Sequence, residues 1–104
     1  MSAGTLTRQI TLQMYQDGQS IEEIARERNL KPTTIASHLV ELIEMGESID
    51  VKALIPPGHF ETIADALQQL GGETLKPVKE FLGDEYFYEE IRLVRALLRQ
   101  IKLH

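Results

Sequence analysis

Few residues in this chain of 104 have the types and spacing that catalysis requires. There is no cysteine, which excludes disulfides and thiolate metal sites. The three histidines, His38, His59 and His104, lack the spacing of metal ligands. Gly71 and Gly72 follow a predicted helix rather than a strand and lack the lysine of a phosphate-binding loop. We therefore expect this segment to be no enzyme and to bind no cofactor.

A polar stretch at residues 31–38 carries side chains that suit nucleic acid instead. Hydroxyl groups can bind phosphates or base edges, and the start of a helix favours a phosphate. No Arg, Asn or Gln occupies the base-reading positions, so we expect weak binding with low sequence specificity. A solvated polar face is the alternative, and His38 alone is better explained as a packing residue. The candidate contacts are Lys31, Thr33, Thr34, Ser37 and His38, with Arg26 and Arg28 on the preceding helix.

A second basic surface is predicted on the last helix. Arg92, Arg95, Arg99 and Lys102 are spaced i, i+3, i+7 and i+10, and no acidic residue follows Glu90. Such a stripe can bind a phosphate backbone through counterion release, which makes the binding salt-sensitive. Cations late in a helix also complement the helix dipole while they stay solvated. Both interpretations remain open, and the three arginines join the candidate contacts.

The aromatic run Tyr86, Phe87 and Tyr88 also permits two interpretations. Aromatic rings beside a basic helix can stack on unpaired bases. Aromatic side chains more commonly fill the core of a small domain. We therefore predict that these three side chains are buried.

Residues 20–45 predict two helices joined by a tight turn. Ser20 begins the capping-box pattern S-I-E-E, which starts the first helix. Asn29 tolerates the left-handed backbone that ends this helix, and Pro32 suits the first turn of the next. Apolar residues then recur on one face of the second helix. Because Ala25 is small, the two helices can approach closely, and the pattern is that of a helix-turn-helix.

The remaining segments favour an all-α, winged-helix-like fold in which further helices pack on the helix-turn-helix. A first helix, capped by Thr5 or Thr7, is expected to brace it, because two helices alone cannot close a core. In the last helix the apolar positions Ile91, Val94, Leu98 and Ile101 are predicted to face inward. The predicted helices are at about 5–17, 60–70, 75–82 and 88–102, with an extended connector or short strand, as in a reduced wing, at 49–51.

Size and composition favour a single globular domain over residues 5–104, with residues 1–4 disordered or partly a cloning scar. The sequence contains no run of eighteen apolar residues, so no membrane span is predicted. No signal peptide is visible. We expect a cytoplasmic, nucleoid-associated location. The net charge of −5 weakens purely electrostatic attraction to DNA. The distribution of the charges therefore matters more than their sum.

Both halves of the chain resemble one known module. The first half reads S-I-E-E-I-A-R-E-R-N-L-K-P-T-T-I-A-S-H-L, and the second contains L-K-P-V-K-E followed by Y-E-E-I-R-L-V-R-A-L-L. Together they are similar to the helix-turn-helix module at the C-terminal end of RecQ-type DNA helicases, over about residues 5–98. The resemblance implies an accessory role, with ATP-driven strand separation in upstream domains. It also implies nucleic-acid contact through Lys31, Thr33, Thr34 and Ser37.

The leading hypothesis is thus an accessory nucleic-acid-binding module whose partner is DNA, bound weakly and in a salt-sensitive way. A protein-docking or dimerisation module is the first alternative, with upstream helicase domains or a second copy of the chain as partner. A free-standing transcription regulator is the second alternative. None of these hypotheses involves a membrane.

Overall fold

The computed structural model describes residues 3–102, with side chains from residue 6 onward. Within this part of the chain there are seven helices and no strand, which confirms the all-α prediction. Two compact units form, residues 1–49 and residues 50–104, called here the N-terminal and C-terminal units. No helix in the described range is long and apolar enough to cross a membrane. The helices are α1 (Ala3–Gln16), α2 (Ile21–Arg28), α3 (Pro32–Glu44), α4 (Val51–Leu54), α5 (His59–Leu70), α6 (Lys76–Leu82) and α7 (Tyr88–Lys102).

The start of α1 differs from the prediction. The helix begins at Ala3 rather than after Thr5 or Thr7, so Ala3 and Gly4 are helical. Met1 and Ser2, the rest of the predicted disordered tail, lie outside the described residues. The expectation of a single domain over residues 5–104 stays a prediction.

In the N-terminal unit, α1 and α2 both pack against α3. The predicted capping box starts α2: the Glu23 N–H donates to Ser20 Oγ at 3.1 Å, and the Ser20 N–H donates to Glu23 Oε1 at 3.0 Å. These two bonds satisfy donors that a helix start otherwise leaves unpaired. The apolar stripe then forms the core of the unit, with Ile24, Ala25, Ile35, Leu39, Leu42 and Ile43 buried.

The turn between α2 and α3 is the predicted left-handed reversal. Asn29 has φ 56° and ψ 45°, and it is the one non-glycine residue with positive φ in the described chain. The Asn29 N–H donates to the Arg26 carbonyl at 3.3 Å, and the Leu30 N–H donates to the Ala25 carbonyl at 2.9 Å. This pair of bonds is the Schellman motif, which satisfies the last carbonyls of α2. Leu30 remains 37% exposed.

The C-terminal unit consists of α4, α5, α6 and α7, and α5 packs against each of the other three. The strand or reduced wing predicted at residues 49–51 is not present in the described chain; Val51 begins α4 and is buried. An alternation of three residues is too short to fix a strand, and burying Val51 in a helical turn satisfies the same apolar pattern. The core residues of this unit include Val51, Ile63, Val78, Ile91, Leu93 and Val94.

A buried carboxylate joins the starts of α5 and α7. Glu90, 6% exposed, lies with Oε1 2.6 Å from His59 Nδ1, and its Oε2 accepts the Phe87 N–H at 2.9 Å. The His59 ring stacks on Tyr86 with centroids 4.2 Å apart. Glu90 therefore caps α7 and anchors the first residue of α5 at the same time.

Three burial predictions for this unit are wrong. Phe87 is 62% exposed and Tyr88 is 43% exposed, whereas Tyr86 is partly buried against His59. Ile101 is 60% exposed although it continues the apolar period of α7. Phe87 and Tyr88 lie at the start of α7 and Ile101 lies in its last turn, so all three are near an end of the helix.

Candidate nucleic-acid interface

The N-terminus of α3 is the centre of the candidate interface. Lys31 and Thr33 are exposed, and Thr34 is partly exposed. No side chain caps this helix start, and Pro32 has no N–H. The Thr34 and Ile35 N–H groups both donate to the Lys31 carbonyl, at 2.9 and 3.2 Å. Because these bonds use the Thr34 and Ile35 N–H groups, what the first turn offers a phosphate is the Lys31 ammonium, the Thr33 hydroxyl and the positive end of the helix dipole.

Ser37 lies one turn further along α3 and is partly buried. Its hydroxyl donates to the Thr33 carbonyl at 3.0 Å. A hydroxyl whose proton is used in this way offers acceptors rather than a donor, whereas a phosphate oxygen requires a donor. Ser37 is therefore a weaker phosphate contact than Thr33.

Arg28 holds the helices of this unit together. Its Nη1 donates to the Thr7 carbonyl at 2.9 Å and to Thr11 Oγ1 at 2.6 Å, and its Nη2 donates to Thr7 Oγ1 at 2.7 Å. The guanidinium thus joins α2 to α1 through three charge-assisted hydrogen bonds. This geometry argues against its predicted reach to a DNA backbone. Arg26, two residues earlier, is exposed and keeps that predicted role.

His38 is also an internal residue. It is 8% exposed, and its Nδ1 lies 2.9 Å from Thr11 Oγ1. Burial lowers the pKa of His38, and the nearby Arg28 and Arg8 lower it further against an opposing effect of Glu41. The neutral ring can accept the Thr11 hydroxyl proton while Thr11 Oγ1 accepts from Arg28. His38 is therefore a packing residue, as the sequence favours, and its burial argues against its predicted contact with nucleic acid.

Thr11 is the residue that the sequence analysis missed. It is fully buried on α1 and links Arg28 on α2 to His38 on α3. The only sequence signal is the i, i+4 pair Thr7 and Thr11, which places two hydroxyls on one face of α1. We call Arg28, Thr11 and His38 the polar relay of the N-terminal unit.

Acidic side chains limit the basic surface to the front of α3. The N-terminal unit contains four basic and seven acidic residues. Further along α3, Glu41 and Glu44 are exposed, and Glu41 pairs with Arg8 at 3.0 Å. The outer face of α2 presents Glu22, Glu23 and Glu27 around Arg26. A phosphate is therefore favoured only near Lys31, Thr33 and Arg26.

The predicted basic stripe on α7 lies in the C-terminal unit and has a structural role there. Arg95 Nη1 and Arg99 Nη2 both donate to the Gly72 carbonyl, at 3.1 and 3.2 Å. Arg92 is partly buried. The two converging arginines tie the loop after α5 to α7. Their predicted contact with nucleic acid stays a prediction.

Two helices that meet at a left-handed turn, braced by a third helix, define the class of helix-turn-helix proteins. A family model described as a helix-turn-helix domain matches residues 7–95, and the chain belongs to this family. Membership is compatible with DNA binding in general. No curated protein and no solved structure matches the chain at a significant level.

Proposed function

We propose that the chain is an accessory nucleic-acid-binding module without enzymatic activity. The observation that carries the proposal is the uncapped front of α3, where Lys31 and Thr33 are exposed. The front of the second helix is the part of a helix-turn-helix that enters the major groove or meets the backbone. The module would act in the cytoplasm, associated with the nucleoid.

The proposed contact is mainly with phosphates. Lys31 supplies a charge and Thr33 a hydroxyl at the positive end of α3, and Arg26 supplies a second charge from α2. No Arg, Asn or Gln lies at the front of α3, where base edges would be read, so sequence preference is expected to be small. With two phosphates neutralised, the logarithm of the binding constant should fall with the logarithm of salt with a slope of about −2.

Fluorescence anisotropy at low salt tests the proposal, with a labelled 20-base-pair duplex and a labelled 20-nucleotide oligothymidylate as probes. The double variant Arg26→Glu/Lys31→Glu should lower affinity at least tenfold and flatten the salt dependence. Lys52→Glu/Lys76→Glu, which changes the same charge at exposed positions of the C-terminal unit, is the matched control. Unchanged affinity in the first variant, or no binding by the wild type, would refute the proposal.

We further propose that the module serves a RecQ-like DNA helicase. The support is the resemblance of both halves of the sequence, in the same order, to the module at the end of such helicases. In a helicase carrying this module, Lys31→Glu should raise the DNA concentration needed for half-maximal ATPase activity while leaving the maximal rate unchanged. A changed maximal rate with unchanged DNA dependence would contradict an accessory role in engaging DNA.

A free-standing transcription regulator remains the competing function for the same α3 surface. Such a protein must discriminate between base sequences. Selection from a pool of random duplexes should therefore return no consensus for this chain under our proposal. Recovery of a clear motif would favour the regulator and rule out the low-specificity role.

A further inference from the structure

The C-terminal unit exposes three aromatic side chains where α6 ends and α7 begins. Phe81 is 64% exposed, Phe87 is 62% exposed and Tyr88 is 43% exposed. We call these three residues the aromatic corner. Residues 80–90 contain five acidic residues and no basic residue, and of the five only Glu90 is buried. Lys79 is the nearest cation, with Nζ 5.9 Å from the centroid of the Tyr88 ring. Exposed aromatic side chains within a few residues of one another are typical of an interaction site.

The opposite end of α7 forms a groove with the complementary character. It lies between the end of α5, the loop at residues 71–73 and the second half of α7, with a volume of about 590 Å³. Its apolar lining includes Leu67, Leu98 and Ile101, the last 60% exposed. We call it the cationic groove, because Arg95, Arg99 and Lys102 line it against a single acidic residue, Glu73.

The two surfaces match in both charge and apolar character. Residues 91–102 contain four basic residues and no acidic one, so α7 is acidic and aromatic at its start and basic at its end. A helix of this length extends about 22 Å, which separates the corner from the groove of the same copy. We propose that the aromatic corner of one copy docks in the cationic groove of a second copy.

A nucleic-acid strand fits the groove less well than a second copy does. None of the residues described as lining it is aromatic, so it offers no platform for base stacking. Its apolar side chains require an apolar occupant to gain free energy from burial. The acidic and aromatic corner supplies both properties, and this inference does not depend on nucleic-acid binding by α3.

The contact is heterologous, because two different surfaces of the same unit meet. Such a contact produces a closed ring if the rotation between successive copies brings the last copy back to the first, and an open chain of copies if it does not. Only a few side chains form each surface, so the association should be weak, and because the two surfaces carry opposite charge it should decline with salt.

Sedimentation equilibrium of the full chain provides the first test. At hundreds of micromolar protein in low salt, the weight-average mass should exceed the 11.8 kDa of the monomer, and 0.5 M NaCl should reduce it. Arg99→Glu/Lys102→Glu disables the groove, and Phe81→Ser/Phe87→Ser disables the corner. Each should remain monomeric, whereas the matched control Lys52→Glu/Lys76→Glu should associate like the wild type. Circular dichroism verifies that all the variants are folded.

Mixing the two disabled variants gives the decisive measurement. Each retains one of the two surfaces, so an equimolar mixture should form a 1:1 dimer and nothing larger. A mixture that stays monomeric would overturn the proposal, as would a wild type that stays monomeric at every concentration. If the wild type is monomeric and binds oligothymidylate, and Arg99→Glu/Lys102→Glu abolishes that binding, the groove is a nucleic-acid site. That result would also overturn the proposal.

Discussion

Replacing Thr11 with valine should destabilise the N-terminal unit by about 2 kcal/mol, although the two side chains have nearly the same shape. Thr11 is fully buried, and its hydroxyl oxygen accepts from Arg28 at 2.6 Å and lies 2.9 Å from His38 Nδ1. Valine removes both bonds and leaves a buried imidazole nitrogen without its partner.

The magnitude follows from the partners that remain. A hydrogen bond to a charged group contributes about 1.5–3 kcal/mol and a neutral one about 0.5–1.5 kcal/mol. Arg28 keeps its hydrogen bonds to the Thr7 carbonyl and the Thr7 hydroxyl. The free energy lost with its Thr11 bond should therefore lie at the lower end of the range for charged groups. The added methyl group returns part of the loss, at most about 0.8 kcal/mol, through burial.

Urea denaturation followed by circular dichroism at pH 7.5 measures this loss. The same substitution at the exposed Thr62, whose hydroxyl donates to the Gly58 carbonyl at 3.2 Å, is the matched control and should cost less than about 0.5 kcal/mol. Equal effects at Thr11 and Thr62 would show that the polar relay adds no stability and would refute this account.

Three further predictions concern other features of the fold. Because the pKa of His38 is lowered in the folded state, the unfolded chain binds more protons below about pH 6.5. The free energy of unfolding should therefore be highest above about pH 6.5 and fall as the pH is lowered further. The urea midpoint should thus drop more between pH 7.5 and 5.5 in wild type than in His38→Gln, and equal drops would contradict the argument. Glu90→Gln should lower the free energy of unfolding by about 2 kcal/mol, since the Glu90 carboxylate meets His59 and a backbone N–H. The control Glu89→Gln should have little effect in the same urea titration. Similar losses in the two variants would refute the role of Glu90 in joining the starts of α5 and α7. Asn29→Ala should lower the thermal midpoint, with a cost of about 1 kcal/mol, whereas Asn29→Gly should not, because φ is +56°; a harmless alanine would contradict this explanation.

The sequence was most informative where structure is determined by neighbouring residues. The capping box at Ser20, the left-handed Asn29 and the start of α3 at Pro32 are all confirmed. Each depends on backbone geometry within a few residues, which the residue type itself restricts. For this reason the front of α3 could be located without coordinates.

The long-range partners could not be read in the same way. Arg28 looked like a surface cation at the end of α2, but its guanidinium meets groups on α1 that are 17 and 21 positions away. His38 likewise depends on Thr11, 27 positions earlier. Hydrophobic periodicity also failed at Ile101, because a repeat indicates which face is apolar but not where the neighbouring helix ends. Two of the predicted contact residues, Arg28 and His38, thus have partners inside the unit, and nucleic-acid contact by the front of α3 stays a prediction.

The polar relay has a consequence for how this sequence can vary. One hydroxyl, that of Thr11, serves both Arg28 and His38, so three helices depend on a single small side chain. A lineage that replaces Thr11 with an apolar residue should also replace His38, since its buried Nδ1 would lose its partner, whereas Arg28 keeps its two hydrogen bonds to Thr7. In an alignment of relatives, positions 11 and 38 should change together rather than independently.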